Sequence, residues 1–261
     1  MNSKIFLAAV SHVKSTVVPY YKPHYILESF MDIKNKTKKT EEYVRWCLTA
    51  DMFLLDSGAF AFMNKAKSTQ GVSGTELKKY IQDYVEFINR WDIKYFFELD
   101  LDCKFEYDKV KSIRKYIERN TGKKCIPVWH KSRGMDEFHA MCREYDYVAV
   151  GGIASKEINS KSDYGLLCEL CDIAHSYNCK VHGLGFLSLE KLNNGKCPFD
   201  TVDGTGWQGH MRAIKFELND GKIFRLKDEE LKEKKRTWKD NETEGFGIWT
   251  EFSKIVEERN D

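Results

Sequence analysis

Side chains able to act as acids, bases or nucleophiles recur in this sequence directly after short apolar runs. Asp56 ends "MFLLD" and Asp203 ends "FDTVD". Comparable positions after other runs hold Asp100, Asp102, Trp129, His130, Gly151, Gly152, His182, Gly183 and Gly185. Carboxylates that face each other in a partly dry pocket cannot all ionise freely, so one can act as an acid and another as a nucleophile. The pattern therefore predicts carboxylate chemistry, provided that the fold brings these positions together.

Each of these residues also has an ordinary structural explanation. An aspartate after a strand commonly forms a turn or caps a helix, which would account for Asp56 alone. His182 alone could be a hydrogen-bonded core histidine, and Gly151 and Gly152 could merely permit a tight turn. The functional interpretation depends on their convergence.

The elements between these positions predict how they would converge. Seven apolar runs predict strands, at 5–10, 52–56, 95–100, 125–130, 147–152, 179–185 and 199–204. The segments between them have helical periodicity, and strands that are apolar throughout indicate a parallel sheet covered by helices. One arm of a hairpin predicted over 213–228 could supply an eighth strand. We therefore predict a (β/α)8 (TIM) barrel, with its active site at the C-terminal ends of the strands.

Length and composition limit the alternatives. The 261 residues predict a single domain, 1–261, with a barrel core over 1–228 and a C-terminal helical segment over 229–261. The 42 basic and 40 acidic residues nearly cancel, so a nucleic-acid partner would need a local basic patch, such as 34–42 or 231–240. Either run is more ordinarily a solvated face. Eight scattered cysteines, no leader pattern and no membrane-length apolar run predict a soluble, cytoplasmic protein with reduced thiols.

The segments that carry these residues resemble the tRNA-guanine transglycosylases over about 50–228. "LDSGAF" (55–60) resembles the family's "DSGGFQ" signature, and "ELDLDC" stands where the family has an aspartate that reads the base. "VAVGGIA" is similar to the family's "AIGGLA", and "VHGLGF" to its "LMGVG". "FDTVDGTGWQGHMR" falls where the family has its nucleophile, in "FDCVMPTR", and "FELNDGKIFRLKD" resembles the hairpin that follows. The resemblance implies a (β/α)8 enzyme.

The resemblance also implies a role for each residue. Asp203 would be the nucleophile that attacks C1′ of a guanine nucleotide, and Asp56 the general acid and base. Phe60 and His182 would flank the base, Asp100 would accept from its N–H edge, and the amides of Gly151 and Gly152 would face its carbonyl. The full set implied to bind substrate is Ser57, Gly58, Phe60, Asp100, Asp102, Trp129, His130, Gly151, Gly152, His182, Gly183 and Trp207. The resemblance implies no cofactor and no metal for this chemistry.

Three departures from the family direct the choice of polymer. The family's tRNA enzymes carry a zinc site of three cysteines and a histidine after the hairpin, whereas this chain has no cysteine beyond Cys197. Trp129 and His130 stand where those enzymes have "QGG", and "GTGW" replaces "MPTR" after the nucleophile. These differences favour the related enzymes that insert 7-deazaguanine bases into DNA, which occur in bacterial modification islands and in phages. We therefore expect DNA as the partner, tRNA as the alternative, and a 7-deazaguanine base as the small-molecule substrate.

Other interpretations remain open at this point. The chain could be a non-catalytic barrel that binds nucleic acid, although such a barrel would not need both Asp56 and Asp203. It could be a hydrolase, which would leave abasic product. Cys168, Cys171 and His175 share one helix face and could bind a metal, although Leu167, Leu170 and Ala174 indicate an ordinary buried stripe, the interpretation that we prefer.

Overall fold

Eight parallel strands form the centre of the protein in a computed structural model that describes residues 3–59, 61–62, 73–102, 104–153, 155–209, 214–227, 229, 233 and 237–259. The strands are β1 (Lys4–Ala8), β2 (Tyr25–Ser29), β3 (Met52–Asp56), β4 (Tyr95–Phe96), β5 (Val128–Trp129), β6 (Tyr147–Val150), β7 (Lys180–Gly183) and β8 (Thr201–Gly204). They are hydrogen-bonded in the order β4-β3-β2-β1-β8-β7-β6-β5. A parallel bridge between Phe97 and Ile126, which flank β4 and β5, joins the two outer strands. The sheet therefore closes as the predicted (β/α)8 barrel.

The eighth strand is β2, which the sequence analysis did not identify. The hairpin that was expected to supply it, β9 (Ile214–Asn219) and β10 (Lys222–Lys227), forms a separate antiparallel sheet. That expectation was wrong because β2 already fills the gap between β1 and β3. Its run "YILES" ends in the charged Glu28 and the polar Ser29, which mask the apolar pattern of a buried strand.

The strands are buried on both faces, as the continuous apolar runs predicted. Inward side chains form one cluster that fills the barrel, with Phe6, Tyr25, Leu27, Leu54, Phe97, Ile126, Val128 and Ala149 among its members. Outward side chains such as Ile26, Leu55 and Val202 join a larger cluster with the helices. Side-chain direction alternates along each strand, so on β8 Asp203 lies on the face opposite to Val202.

Helices surround this barrel and connect its strands. They are α1 (Lys14–Val17), α2 (Phe30–Ile33), α3 (Lys38–Cys47), α4 (Gly74–Arg90), α5 (Tyr107–Thr121), α6 (Gly134–Glu144), α7 (Tyr164–Ser176), α8 (Leu189–Asn193) and α9 (Trp238–Glu258). Ser73 and Glu76 form a capping box at the start of α4, and Gly122 ends α5 in the left-handed conformation that favours glycine. Within the described ranges, no helix combines the length and apolar character that a membrane crossing requires.

The N-terminal end of the barrel is tied to helix α9. Glu257 Oε1 accepts hydrogen bonds from Lys4 Nζ at 2.5 Å and from the Tyr25 hydroxyl at 2.6 Å. Ser253 Oγ donates to the backbone oxygen of Ile5. The expected C-terminal helix exists: its last turns pack on the starts of β1 and β2, whereas Phe246, in its first half, packs on Trp207, which follows β8.

Candidate active site

The C-terminal strand ends surround a cavity of about 540 Å³. Its lining is Asp56, Asp100, Asp102, His130, Ser132, Gly151, Gly152, Ser155, Glu157 and Leu184. Six of these residues were expected to bind or transform the substrate, so the barrel brings that part of the predicted site together. The volume is within the range typical of small-molecule sites.

Asp56 ends β3 and is partly exposed to this cavity. Its Oδ2 accepts the backbone N–H of Gly58 at 2.9 Å, and the side chain of Ser29, its register partner on β2, also bonds to it. Desolvation disfavours the charged carboxylate, and the charges of Asp203 and Asp100 add to this effect. Together they outweigh the two hydrogen bonds and raise the pKa of Asp56 to about 6. The side chain can therefore exchange a proton near neutral pH.

Asp203 lies on β8, close enough to Asp56 for its charge to affect the titration of that residue. Its Oδ1 accepts the backbone N–H of Gly185 at 2.7 Å and contacts His182 Nε2 at 3.1 Å. The Asp203 side chain is 11% exposed and is not itself among the residues that line the cavity, although Leu184, which lines it, immediately precedes Gly185. The two aspartates on which the carboxylate chemistry depends therefore occupy the same end of the barrel.

His182 lies inside the barrel, where it cannot flank a bound base as the resemblance implied. The ring is fully buried, with Phe6 and Phe97 at centroid distances of 6.0 and 5.2 Å. Its Nδ1 bonds to Thr201 Oγ1 at 2.7 Å, and Thr201 Oγ1 bonds to the Tyr147 hydroxyl at 2.5 Å. Side chains alternate in direction along β7, so His182 points into the barrel beside Asp203. Its hydrogen-bond partners there include Thr201 and Asp203.

His130 stands in the wall of the cavity between two carboxylates. Its Nε2 lies 2.7 Å from Asp100 Oδ2, and its Nδ1 lies 3.0 Å from Glu157 Oε2. Burial opposes the charged ring, but the bonds to these carboxylates and the charge of Asp100 prevail and raise the pKa of His130 to about 9. The side chain is therefore a cation at neutral pH.

Asp102 faces the same cavity and is paired with Arg133. Arg133 Nε donates to Asp102 Oδ1 at 2.9 Å, and the guanidinium also contacts the other carboxylate oxygen. Burial disfavours the Asp102 anion, yet Arg133 holds the pKa of this carboxyl below its usual range. The same guanidinium donates to the fully buried Glu98 at 2.8 Å, and Arg114 pairs with Glu98 from the other side at 3.4 Å.

A metal ion has one group of possible ligands in the described part of the chain: Asp100, Asp102 and His130, whose ligand atoms lie within 4.8 Å of one another. Both ring nitrogens of His130 are engaged by carboxylates, and Arg133 occupies Asp102. Protein cations therefore already neutralise these acids. Cys168 and Cys171 do not form such a group with His175, which bonds to Asp200 at 2.9 Å. The buried Leu167, Leu170, Cys171 and Ala174 confirm the apolar stripe.

Glycine is required at several of these strand ends because side chains already fill the adjacent space. A Cβ atom on Gly151 would lie 2.7 Å from His130 Cε1. On Gly152, where φ is +83°, it would lie 2.9 Å from Glu157 Oε2, and on Gly58, where φ is +67°, it would lie 2.7 Å from Ser29 Oγ. The glycines thus allow close packing of the residues that form the cavity wall.

Several residues expected to bind substrate lie away from the cavity. Trp129 faces the helix layer, where its Nε1 donates to the Gly134 carbonyl and its ring packs on Phe138. Trp207 is fully buried, and its Nε1 donates to the Ala8 carbonyl. Ser57 is also buried, and Gly183 packs against Phe199. Phe60 lies outside the described residues. The expectation that Trp129 and Trp207 bind substrate was therefore wrong.

Sequence reasoning missed several residues of the site. Glu157 holds His130, and Ser29 holds Asp56, but neither directly follows one of the predicted strands. After β6 the chain turns back and places Glu157 beside the strand end. In this turn the Ile158 amide donates to the Gly152 carbonyl. Ser132, Ser155 and Leu184 also line the cavity. The pair Gly151–Gly152 is the one sequence signal for a turn that brings a later side chain to the site.

Comparison with known proteins leaves the chemistry of this site open. No protein-family model matches the chain, and no curated protein matches its sequence. Among solved structures, it is similar to an enolase protein from the environmental genome shotgun sequencing of the Sargasso Sea, with 9% identity and a TM-score of 0.42. The match covers 77% of this chain and 54% of the other, so the chain spans about half the length of that protein. The chemistry must therefore be inferred from the site.

Proposed function

We propose that this protein exchanges guanine in DNA for a 7-deazaguanine base through a covalent glycosyl-aspartate intermediate. The observation that carries this proposal is the pair of unlike carboxyls at the barrel end. The pKa of Asp56 is raised to about 6, whereas Asp203 accepts two hydrogen bonds on one oxygen. A carboxyl that can hold a proton beside one whose oxygen is fixed by two donors is the arrangement that acid-assisted nucleophilic displacement at a glycosidic carbon requires.

The first half of the reaction forms the intermediate. An Asp203 carboxylate oxygen bonds to C1′ while the bond from C1′ to N9 of guanine breaks, and the electron pair of that bond leaves with the base. Protonated Asp56 gives its proton to the departing guanine and becomes a carboxylate. The positive charge that develops on the sugar is stabilised by Asp203 before it is captured.

The second half reverses these steps with the new base. Ionised Asp56 removes the N9 proton of the incoming 7-deazaguanine, whose N9 lone pair then attacks C1′. The bond between Asp203 and C1′ breaks, and its electrons return to the carboxylate. Both half-reactions displace a group at the same carbon, so two inversions restore the original configuration. No oxidant, metal or cofactor enters this balance.

We assign recognition of the base to the wall of the cavity that Asp100, Gly151 and Gly152 form. Asp100 offers a carboxylate to the donor edge of a guanine-like ring, and its bond to His130 fixes its position. The Gly151 and Gly152 backbone approaches the cavity without side chains. Because C1′ is inaccessible in a stacked helix, the target nucleotide must be flipped out or already unpaired.

The preference for DNA rests on the part of the chain that follows the hairpin. Transglycosylases that modify tRNA have a zinc subdomain there, and this sequence has no cysteine after Cys197. In its place α9 returns to the N-terminal end of the barrel, where Glu257 contacts Lys4 and Tyr25. A polymer would therefore be held by other surfaces than in the tRNA enzymes.

The test combines polymer choice with trapping of the intermediate. Purified protein would be incubated with labelled duplex DNA, single-stranded DNA or tRNA, and a denaturation-resistant adduct would be sought by gel electrophoresis. We expect an adduct with DNA that Asp203→Asn abolishes and Asp56→Ala slows. Asp83→Asn, which changes an aspartate on α4 that pairs with Lys79, is the matched control. Incorporation of labelled 7-deazaguanine into tRNA alone would reassign the polymer, and abasic product without an added base would indicate a hydrolase.

A further inference from the structure

The two oxygens of the Asp203 carboxylate have different surroundings. Oδ1 accepts the Gly185 N–H at 2.7 Å and contacts His182 Nε2 at 3.1 Å. Among the described residues, no hydrogen-bond donor contacts Oδ2. A carboxylate fixed through one oxygen presents the lone pairs of the other in a defined direction.

The hydrogen bonds of His182 are mutually consistent with one tautomer of its ring. Thr201 Oγ1, 2.7 Å from Nδ1, can donate to that nitrogen while it accepts from the Tyr147 hydroxyl at 2.5 Å. Burial raises the pKa of the Tyr147 phenol, so this hydroxyl retains its proton as the terminal donor. With Nδ1 as an acceptor, the ring carries its proton on Nε2, which faces Asp203.

His182 is also prevented from acting on the substrate itself. Its side chain is fully buried, with Phe97 and Phe6 packed at ring distances of 5.2 and 6.0 Å. Any effect that it has on the reaction must therefore pass through Asp203.

We propose that His182 is a positioning residue that, with the Gly185 amide, fixes Oδ1 of Asp203 so that Oδ2 is the oxygen that bonds to C1′. This inference rests on the proposed function. Thr201 and Tyr147 support this role, because their hydrogen bonds keep the His182 proton on Nε2, the nitrogen that faces Asp203.

The arrangement has a consequence for the two half-reactions. When Oδ2 bonds to C1′, Oδ1 becomes the carbonyl oxygen of an ester and loses most of its negative charge. When the incoming base displaces the ester, that charge returns, and the donors to Oδ1 stabilise the departing carboxylate. Loss of the His182 donor should therefore slow release of the intermediate as well as misdirect its formation.

Four variants test the proposal by single-turnover measurement of adduct formation and of adduct release after addition of the base. A hydrogen bond to a charged group contributes enough to predict release about 10- to 100-fold slower in His182→Leu. His182→Gln, whose amide can again donate toward Oδ1, should recover at least half of that loss on a logarithmic scale. Thr201→Val should slow release by about 3-fold because the ring loses the partner of Nδ1. Phe6→Leu, which alters packing beside His182 without removing a hydrogen bond, should leave release within about 2-fold of wild type.

The outcomes separate this inference from the proposed function. If wild-type protein forms an adduct and His182→Leu releases it at the wild-type rate, or if Phe6→Leu slows release as much as His182→Leu does, the positioning role is wrong and the function stands. If wild-type protein forms no adduct with any polymer, the proposed function fails, and attack by Oδ2 fails with it. Nitrogen-15 NMR of histidine-labelled protein tests the ring independently: we expect the His182 proton on Nε2, and a proton on Nδ1 would overturn the assignment.

Discussion

Replacing Asp56 by asparagine tests whether the folded protein disfavours the ionised form of this carboxyl. Asparagine has nearly the same shape, and its side-chain oxygen can accept the Gly58 N–H that now bonds to Asp56 Oδ2 at 2.9 Å. It cannot ionise. The substitution therefore removes the charge while the contacts of the site are kept, and any change in stability should depend on pH.

The size of the effect follows from the pKa. Asp56 titrates at about 6 in the folded protein, against an ordinary value of 3.8. Between these two pH values the folded state retains a proton that the unfolded state releases, so the free energy of unfolding falls as pH rises through this window. The difference of about 2 pH units corresponds to about 3 kcal/mol. Asp56→Asn should thus be more stable than wild type by about 3 kcal/mol at pH 8 and by only about 0.5 kcal/mol at pH 4.

Urea unfolding at several pH values between 4 and 8 would measure this gain. Asp83→Asn serves as the control because its carboxyl is on the outer surface of α4, paired with Lys79 at 2.8 Å. The explanation fails if Asp56→Asn destabilises the protein at pH 8, or if its gain is the same at every pH. Either result would mean that folding does not raise the pKa of Asp56, and the acid role assigned to it would lose its physical basis.

Further predictions concern the reaction and the cavity wall. Adduct formation by wild-type protein should fall about tenfold per pH unit above pH 6 in single-turnover assays, because only protonated Asp56 can donate. Glu157→Gln should lower the pKa of His130 from about 9, measured by NMR, since one of its two carboxylate partners is neutralised. Gly151→Ala should raise the KM for the incoming base about tenfold by displacing His130, whereas Gly74→Ala, in open space, should not. Trp129→Phe should lower stability by about 1 kcal/mol and leave adduct formation unchanged, because Trp129 faces the helix layer.

The sequence predicts the positions of strand ends better than the directions of the side chains around them. Asp56, Asp100 and His130 were placed in one pocket because each follows an apolar run, and the barrel brings such ends together. Trp129 and His130 are neighbours, however, and adjacent strand residues face opposite sides of a sheet. Only one of them can reach the cavity, and the inward Val128 indicates that it is His130.

The sequence pattern does not identify hydrogen-bond partners that come from distant parts of the chain. The bonds of Glu157 to His130 and of Ser29 to Asp56 depend on turns and on a strand whose register is set by the whole barrel. The apolar pattern did not reveal strand β2, because Glu28 interrupts it. That charge is fully buried outside the barrel, where Ser11 and the Tyr43 hydroxyl bond to it. Local composition cannot reveal a charge that is satisfied by residues elsewhere in the chain.

The distribution of charge divides the site into two parts with different roles. Asp100 and Asp102 on one wall are compensated by His130 and Arg133, at 2.7 and 2.9 Å. Asp56 and Asp203 have no lysine or arginine within ion-pair distance among the described residues; Asp56 is held by the Gly58 amide and Ser29, and Asp203 by the Gly185 amide and His182. A compensated carboxylate keeps its charge through a reaction cycle and is suited to reading a hydrogen-bond edge. Of this uncompensated pair, Asp56 can exchange a proton and Asp203 can form a covalent bond at lower cost, which is why we propose that they carry the chemistry and that Asp100 and its neighbours carry the recognition.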